Sequence, residues 1–510
     1  MTRAQAPLVV IGDALLDVDV TGTATRLCPD DPGPVLDDLV EMLRPGGAGL
    51  AALLASRERQ VVLVTAIGPD EEGDRLRAAL DPHVQLLELS HDGPTVVKTR
   101  VRAGGRTLLR LDRGAAETRL SLDPATRDEL RALLERSAAV LASDYGLGVL
   151  GQPQVRRELA RIAAEIPIVW DPHPRGSAPV PGIALATPNA AEAARLAGRA
   201  DRSADLGDAV THARLLATRW RAEAVVVTRG AQGAVLVGAE GNPLVVVPPT
   251  RADGDACGAG DSFAATAALQ LAGGAPPEEA VRAGVYRAAG FVAAGGAAGL
   301  ALLGGGPGAA ADEPEERHAG EGDVTSDPGV PPDLAAAEAL VARVRAQGGT
   351  VVMAGGCFDL LHAGHVAYLQ AARELGDCLI VALNSDRSVR ALKGPERPLV
   401  TEGDRATVLS ALRSVDAVVV FDEDTPAALL ERLRPDVFAK GGDYRMDTIP
   451  ETEVVARHGG QVVVLPLLFG RSSTGLVQAA RASASPRPPS TGAARDTGPI
   501  HAAPTQEETA

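Results

Sequence analysis

The chain has 510 residues, of which 45% are hydrophobic and only 2% aromatic, so alanine, valine and leucine must supply most of its core. Its formal net charge of −16 argues against general nucleic-acid binding, because that function needs a basic surface. The four cysteines lie far apart without a CxxC spacing, so we expect reduced thiols in a cytoplasmic protein, not a disulfide framework or zinc site. We expect no signal peptide and no membrane span, because charge and glycine break the longest apolar runs.

Residues 1–305 are predicted to form one large α/β domain, because apolar strands alternate there with amphipathic or alanine-rich helices. The strands expected at residues 8–11, 61–64, 168–170 and 225–228 predict a mostly parallel sheet. Two further strands, at residues 96–101 and 106–111, are separated by a glycine-rich turn and predict a β-hairpin.

The second part of the chain is predicted to hold a smaller α/β domain. Residues 306–332 are rich in Gly, Pro, Asp and Glu, a composition that predicts a flexible linker. Strand–helix alternation returns in residues 333–482, beginning with a helix over residues 334–345. Residues 483–510 are rich in Pro, Ser, Thr and Ala, and we expect them to be disordered.

A phosphate-binding turn is predicted in the first domain, immediately before an alanine-rich helix. Gly258, Ala259 and Gly260 would leave backbone N–H groups free to hold an anion at the start of that helix. The carboxylate of Asp261, which follows, would take the proton of an acceptor hydroxyl, and together these parts indicate phosphoryl transfer. The alternative is an ordinary helix cap, since Asp is common at helix N-termini.

This turn lies within residues 255–261, which resemble the DTxGAGD signature of the ribokinase-like sugar kinases, and the resemblance extends over about residues 7–303. The other matching positions are Gly12, Asp13, Gly46, Gly47, Asn189, Glu192, Thr228, Gly230 and Gly233. The resemblance implies ATP as the phosphoryl donor, bound beside Thr228 and Gly230. It also implies Mg²⁺ positioned by Asn189 and Glu192, mainly through water. Glu192 as an ordinary exposed helix residue is the alternative.

The same resemblance implies a sugar site under the hairpin, which serves as a lid in this family. Its expected residues are Asp13, Gly46, Gly47, Lys98, Arg100 and Arg110. The three cations suit a second phosphate on the sugar, although a solvated strand face would also explain them. The family usually has an asparagine after the paired glycines, whereas this chain continues with residues 48–51, Ala-Gly-Leu-Ala. The acceptor is therefore a modified sugar phosphate, or the kinase is weak.

Two histidines follow a glycine turn in the second domain. Residues 350–353 predict a strand, and His362 and His365 then open a helix with Gly364 between them. A helix N-terminus holds phosphate, and two imidazoles beside it can stabilise the charge that builds during transfer. The alternatives are a metal pair or two surface histidines, although only Asp359 is available nearby to complete a zinc site.

This segment resembles the HxGH signature of the cytidylyltransferase-like nucleotidyltransferases. Three further segments match in the same order, at residues 384–386, 440–444 and 471–474. The resemblance implies nucleotide or phosphate contacts from Gly356, Phe358, Lys393, Lys440, Gly441, Ser473 and Thr474. A charged turn around Lys393 and Arg397, and simple N-capping by Ser473 and Thr474, are the alternatives.

The order of the two domains resembles the family of bifunctional heptose 7-phosphate kinases and heptose 1-phosphate adenylyltransferases. The implied fold is a ribokinase-like α/β domain with a β lid, followed by a smaller Rossmann-like nucleotidyltransferase domain. The implied partners are a sugar phosphate and ATP, with pairing of two copies through the kinase lid. Two other hypotheses stay open: a nucleotidyltransferase whose kinase domain only binds sugar phosphate, and the same fusion acting on another polyol phosphate, such as glycerol 3-phosphate with CTP.

Overall fold

A computed structural model describes residues 6–28, 33–104, 106–114, 120–199, 206–238, 242–248, 254–299, 334–441 and 449–465. These residues form two successive α/β units, which span residues 6–299 and 334–465. The linker and the tail expected at residues 306–332 and 483–510 lie outside the described ranges. Within those ranges, no helix combines the length and the apolar character that crossing a bilayer requires.

In the first unit, apolar and β-branched segments form the central strands, and alanine-rich or amphipathic segments form the helices that cover them. The strands are β1 (Leu8–Gly12), β2 (Ala14–Leu27), β3 (Pro34–Gly47), β4 (Val61–Thr65), β5 (Gln85–Glu88), β6 (Ser90–His91), β7 (Val97–Ala103), β8 (Arg106–Arg113), β9 (Leu120–Ser121), β10 (Ala139–Ser143), β11 (Ile168–Asp171), β12 (Leu185–Ala186), β13 (Ala224–Thr228), β14 (Ala234–Gly238) and β15 (Leu244–Val246). The helices are α1 (Ala48–Ala55), α2 (Glu71–Leu80), α3 (Pro124–Glu135), α4 (Pro153–Ile162), α5 (Ala190–Leu196), α6 (Leu206–Trp220), α7 (Ala259–Ala272), α8 (Pro277–Ala293) and α9 (Gly296–Gly299).

The main sheet of this unit has the order β15-β14-β13-β12-β11-β10-β1-β4-β5. Its strands pair in parallel, except where β14 runs antiparallel to both β13 and β15. From the central strand β1, the main sheet continues to β4 on one side and to β10 on the other. Crossovers that diverge in this way leave a crevice beyond the carboxyl ends of the two strands, where open α/β sheets bind ligands.

A second sheet, which we call the lid, has the order β3-β2-β7-β8. The predicted hairpin is present as β7 and β8, whereas the long pair β2 and β3 was not predicted. Only residue 13 separates the end of β1 from the start of β2, so the lid begins at the crevice.

The second unit repeats the layered arrangement with a different order of strands. Its strands are β16 (Val351–Gly356), β17 (Cys378–Asn384), β18 (Ala417–Phe421), β19 (Val437–Gly441) and β20 (Gln461–Leu465). Its helices are α10 (Leu334–Ala346), α11 (Ala363–Arg373), α12 (Asp386–Lys393), α13 (Glu402–Ser410), α14 (Ala427–Leu433) and α15 (Thr452–Arg457). The order β18-β17-β16-β19-β20 is entirely parallel, as in a Rossmann-like fold, and its switch point lies between β16 and β19.

The two units meet at the edge strands β15 and β20. Leu244 pairs with Val464 in parallel, and the Val464 N–H donates to the carbonyl of Pro243 at 3.3 Å. Beside this contact the Asn242 amide donates to the Thr452 hydroxyl at 2.9 Å. The main sheets therefore join into one sheet of 14 strands.

A buried arginine holds the carboxyl ends of β16 and β17 in place. Arg405, only 1% exposed, donates to the carbonyls of Cys357 at 2.5 Å and Asn384 at 2.9 Å. The same guanidinium donates to the carboxylate of Asp386 at 2.7 Å. Removal of its charge would leave these buried acceptors without their donor, which costs far more than the loss of a surface ion pair.

We expect Arg405→Met to lower the local free energy of unfolding of β16 and β17 by about 3 kcal/mol. Hydrogen exchange, read peptide by peptide, measures that stability. Arg387→Met is the matched control, because Arg387 and its partner Asp422 are 74% and 61% exposed. It should cost less than about 1 kcal/mol. Equal effects of the two variants would contradict the structural role of Arg405.

Candidate active sites

The start of α7 forms an open anion-binding turn. Gly258 caps the helix with φ 82°, a left-handed conformation that favours glycine, and a Cβ there would lie 2.8 Å from Leu50. A Cβ at Gly260 would have no atom within 4 Å, so this side of the turn is open. The first N–H groups of a helix have no acceptor inside the helix and can bind a phosphate. In this turn the N–H of Ala259 donates to the carbonyl of Ala256 at 3.1 Å, so a phosphate would compete with that bond.

A pocket of about 280 Å³ lies against this turn. Ala259 and Gly260 line it together with Thr228 and Gly230, so the structure brings these predicted nucleotide-binding residues together. Its remaining lining is largely apolar and includes Phe263, Val285, Ala288, Ala289 and Val292. An apolar wall beside a helix N-terminus suits a ligand with a flat ring at one end and phosphates at the other.

Asp261 lies in the first turn of α7 and is 6% exposed. The Tyr145 hydroxyl donates to its Oδ1 at 2.8 Å. Burial raises the pKa of Asp261 to about 7, although the hydrogen bond from Tyr145 acts to lower it. A carboxylate with a pKa near neutrality is well matched to take a proton from a sugar hydroxyl.

Asp13 follows β1, is 2% exposed and points into the crevice between β1 and β10. Its carboxylate accepts the backbone N–H groups of Tyr145 and Leu147 at 2.9 Å each and that of Val149 at 3.1 Å. Burial nevertheless raises its pKa. Asp13 therefore holds the loop after β10, and its predicted contact with a sugar stays a prediction.

Gly46 and Gly47 end β3 beside the same crevice. A Cβ at Gly47, which has φ 59°, would lie 2.5 Å from the carbonyl of Asp13 and 3.3 Å from the Tyr145 ring. A Cβ at Gly46 would lie 2.5 Å from the carboxylate of Asp17. Both positions need glycine because the lid and the Tyr145 ring approach the backbone so closely; a sugar contact there remains a prediction.

The predicted lid cations lie on β7 and β8. Lys98 places its ammonium 4.8 Å from the centre of the Tyr145 ring, and burial lowers its pKa. Arg100 is paired with Asp17 at 2.7 Å and stands directly opposite Arg110 on the next strand. Arg110 in turn pairs with Asp112 at 2.8 Å, so each arginine already has a carboxylate partner with which a bound anion would compete.

Asn189 and Glu192 form a capping box at the start of α5. The Asn189 side chain accepts the N–H of Glu192, and the Glu192 carboxylate accepts that of Asn189, both at 2.9 Å. Burial, then the charges of Asp261 and Glu192, raise the pKa of nearby Asp171 well above its usual value. These oxygen donors suit Mg²⁺ bound through water, and a divalent cation would relieve the repulsion among the carboxylates. Among the described residues no compact set of three His, Cys, Asp or Glu ligands occurs.

In the second unit, His362 caps α11, and its Nδ1 accepts the N–H of Gly364 at 3.1 Å. The ring of His365 stacks on it with centroids 3.9 Å apart. Burial, then the charges of His362 and Lys393, lower the pKa of His365 to about 4, so this ring is neutral at pH 7. In the part of the chain that the structure describes, no group of three His, Cys, Asp or Glu ligands includes this pair.

Phe358 packs against His365. It has φ 45°, an unfavourable conformation for an aromatic residue, and such strain clusters at functional sites. Its ring meets His365 edge-on at 5.3 Å, and a Cβ at Gly356 would lie 2.9 Å from it. Phe358 and Gly356 therefore shape the turn that carries the histidines.

Lys440 and Gly441 end β19, next to β16 at the switch point. The Lys440 ammonium contacts both carboxylate oxygens of Glu451, at 2.9 and 2.7 Å, so a nucleotide would compete with this ion pair. The predicted contacts Ser473 and Thr474 lie outside the described residues.

The loop after α12 carries two further cations. Lys393 is exposed, and its charge acts on the pKa of both His365 and Cys357, which places it near the histidine pair. Arg397 instead pairs with the buried carboxylate of Asp359, so it anchors the loop.

The structure also places residues in the first site that the sequence did not single out. Tyr145 contacts Asp261, Asp17 pairs with Arg100, and Arg102 pairs with Asp255 at 3.0 Å. The available signals were the Ser-Asp-Tyr sequence at residues 143–145 and the basic alternation along β7, in which Arg102 continues the face of Lys98 and Arg100.

Comparison with known families agrees with this division. Residues 5–301 match the pfkB family of carbohydrate kinases, and residues 353–474 match the cytidylyltransferase-like family. The chain therefore belongs to the pfkB carbohydrate kinases over more than half its length. A nucleotidyltransferase domain lies C-terminal to the kinase domain.

Full-length relatives identify the combination. A bifunctional protein HldE of Streptomyces coelicolor is 50% identical over 93% of this chain and 96% of its own length. The HldE proteins of Azorhizobium caulinodans and Azotobacter vinelandii are 38% and 39% identical, over 93% and 94% of this chain and 98% of each relative. The chain is a member of the bifunctional HldE family, and the fold and the two enzyme classes expected from the sequence are confirmed.

Proposed function

We propose that this protein is the bifunctional enzyme of ADP-heptose synthesis and acts in the cytoplasm. One site would phosphorylate heptose 7-phosphate at the anomeric C1 with ATP, giving the 1,7-bisphosphate. The other would transfer the adenylyl group of ATP to heptose 1-phosphate, releasing pyrophosphate. The observation that carries the proposal is the pairing of a buried carboxylate with an anion-binding turn at Asp261, in a chain that also carries the stacked pair His362 and His365.

In the kinase step, Asp261 takes the proton of the anomeric hydroxyl while the sugar oxygen attacks the γ-phosphate. The N–H groups of Gly258, Ala259 and Gly260 hold the γ-phosphate as its charge develops. ATP extends from this turn into the pocket that Thr228 and Gly230 line. The pKa of Asp261, raised to about 7 by burial, supports this role as base.

Magnesium would be held near Asn189 and Glu192 through water, with Asp171 close by. When bound, it supplies positive charge that offsets the negative charge of the ATP phosphates. The raised pKa values of Glu192 and Asp171 support a cation at this place. Burial disfavours the charged form of both, and the charges of Asp261 and Glu192 add to the effect on Asp171.

Lys98, Arg100 and Arg110 would bind the 7-phosphate of the sugar beneath the lid. The facing positions of Arg100 and Arg110 support this assignment, because they bring two guanidinium groups together on the lid. The phosphate would compete there with their carboxylate partners, Asp17 and Asp112. Asp13, Gly46 and Gly47 would frame the sugar from the crevice side.

In the transferase step, a sugar phosphate oxygen attacks the α-phosphate of ATP without a covalent enzyme intermediate. His362 and His365 donate hydrogen bonds to the phosphates, and the neutral state of His365 keeps one ring nitrogen protonated. Phosphate and pyrophosphate oxygens would be contacted by the remaining predicted residues, Gly356, Phe358, Lys393, Lys440, Gly441, Ser473 and Thr474.

A second candidate function is nucleotidyl transfer alone, with the kinase domain binding sugar phosphate. The absent asparagine favours it, because Ala48 occupies that position and is fully buried at the start of α1. The intact pocket and base beside α7 favour an active kinase instead.

We further propose two domains, residues 1–305 and 333–482, joined by the linker at residues 306–332 and followed by a tail. Two copies would pair through the lid, because both outer strands carry exposed apolar side chains. Leu39 and Val40 on β3 are 60% exposed, and Leu109 and Leu111 on β8 are 52% and 46% exposed.

Asp261→Asn should lower the rate of sugar 1-phosphorylation by about 10²–10⁴-fold, because the amide cannot accept the proton. Adenylyl transfer to supplied heptose 1-phosphate should stay unchanged. Steady-state assays of both half-reactions measure this. Asp208→Asn, the same change in the first turn of α6, should leave both rates unchanged. If Asp261→Asn phosphorylates the sugar at the wild-type rate, Asp261 is not the base and serves only as a helix cap.

His365→Ala should lower pyrophosphate release by about 10²–10³-fold, because one stabiliser of the transition-state charge is lost. The kinase rate should not change. His458→Ala, which removes a histidine paired with Glu431 at the end of α15, is the matched control. Wild-type transfer rates in His365→Ala and in His362→Ala would exclude both residues from the reaction.

Leu109→Glu should convert the pair into single copies, because it places a charge in the apolar patch of the lid. Light scattering after size exclusion measures the mass in solution. Val408→Glu alters a residue of α13 that is 48% exposed and should leave the mass unchanged. Identical masses of wild type and Leu109→Glu would contradict pairing through this strand.

A further inference from the structure

Tyr145 is held at the centre of the kinase crevice. It follows β10. The ammonium of Lys98 lies 4.8 Å from the centre of its ring, and the imidazole of His173 is nearly parallel to the ring at a centroid distance of 6.4 Å. Its own N–H donates to Asp13 at 2.9 Å. A ring fixed by these contacts presents its hydroxyl to one point, the Oδ1 of Asp261.

We propose that Tyr145 is a positioning residue of the phosphoryl transfer: its hydroxyl holds Oδ1 of Asp261 and turns Oδ2 towards the acceptor hydroxyl. The inference rests on the proposed kinase function and deepens it. As the bond between the sugar oxygen and the γ-phosphorus forms and the bond to ADP breaks, the acceptor proton passes to Oδ2. Tyr145 keeps its own proton throughout and only orients the carboxylate of Asp261.

The surroundings keep Tyr145 a donor. Burial, followed by the charges of Asp261, Asp171 and Asp17, raises its pKa well above the usual value for tyrosine. Its hydroxyl therefore stays protonated at any working pH. A protonated phenol beside a carboxylate donates to it and favours its charged form.

Four charged or titratable groups act on Asp261 from the elements packed around it. Asp17 of β2 raises its pKa, and Lys98 of β7 lowers it. Asp171 of β11 interacts with it as a like charge. The Tyr145 hydrogen bond lowers the pKa and opposes the dominant effect of burial. Loss of the hydroxyl alone would therefore raise the pKa of Asp261 and leave more of it protonated at neutral pH.

Another role is open to a hydroxyl at this position. Without a substrate, Tyr145 would fill the place of the acceptor hydroxyl and would have to withdraw when the sugar binds. The contacts of the ring with Lys98 and His173, and that of the backbone with Asp13, argue for a fixed residue instead. When the hydroxyl is removed, the positioning role predicts an unchanged KM for the sugar phosphate, and the other role predicts a lower KM.

The test is the pH profile of the kinase step in Tyr145→Phe, which removes only the hydroxyl. The acid limb, set by the Asp261 pKa of about 7, should move to higher pH. A shift of about one unit would correspond to about a tenfold loss of rate on that limb. KM for the sugar phosphate should stay unchanged, which shows that the first unit is folded, and adenylyl transfer in the same sample should be normal.

Tyr286→Phe is the matched control, because Tyr286 lies on α8 and is 37% exposed. Its profile should coincide with that of the wild type. An unmoved acid limb in Tyr145→Phe would refute the positioning role. A lower KM with an undiminished kcat would instead assign Tyr145 to the acceptor's place.

Failure of the proposed function can be told apart from failure of this inference. If the wild type phosphorylates no sugar, the kinase assignment is wrong. NMR titration of isotopically labelled aspartate then still compares Asp261 in the wild type and in Tyr145→Phe. A higher Asp261 pKa in the variant supports the hydrogen bond, and equal values refute it.

Discussion

Both sites depend on the gap that a parallel sheet leaves where the connections of two neighbouring strands diverge. In the first unit this gap opens between β1 and β10, and Asp13 and Tyr145 enter it from the two strand ends. In the second it opens between β16 and β19, where Phe358 follows β16 and Lys440 lies at the end of β19. Open α/β sheets bind ligands at such edges, where the N–H groups of a helix N-terminus can hold an anion.

Electrostatics within the first gap determines what chemistry is possible there. Asp261, Asp17 and Asp171 are brought together by three different elements, and burial raises the pKa of Asp261 to about 7. One phenol and one ammonium, from Tyr145 and Lys98, offset part of this repulsion. In the proposed mechanism, a magnesium ion and the proton that the reaction delivers would offset the rest of the repulsion among these carboxylates.

The sequence predicted the parts that depend on local chemistry. The glycine turn before α7, the hairpin of β7 and β8, and the histidines at the start of α11 were all predicted, because each is determined by neighbouring residues. It could not predict that Asp13 accepts backbone N–H groups from residues more than 130 positions away, or that Lys440 meets Glu451. Such contacts arise only when distant strands align. The long strands β2 and β3 were missed because their outer halves are largely exposed. The outer half of β2 is mostly polar and that of β3 mixes apolar with acidic residues, so neither shows a core pattern.

The most direct test of two separate phosphoryl chemistries in one chain follows the phosphorus atoms of ATP. The purified protein is incubated with ATP radiolabelled on either the γ- or the α-phosphorus, and with heptose 7-phosphate or heptose 1-phosphate. The account predicts that γ-label enters the sugar bisphosphate from the first acceptor and that α-label enters the nucleotide sugar from the second. Incorporation of α-label alone would leave a nucleotidyltransferase with an inactive kinase domain. Transfer of neither label would contradict the account of both sites.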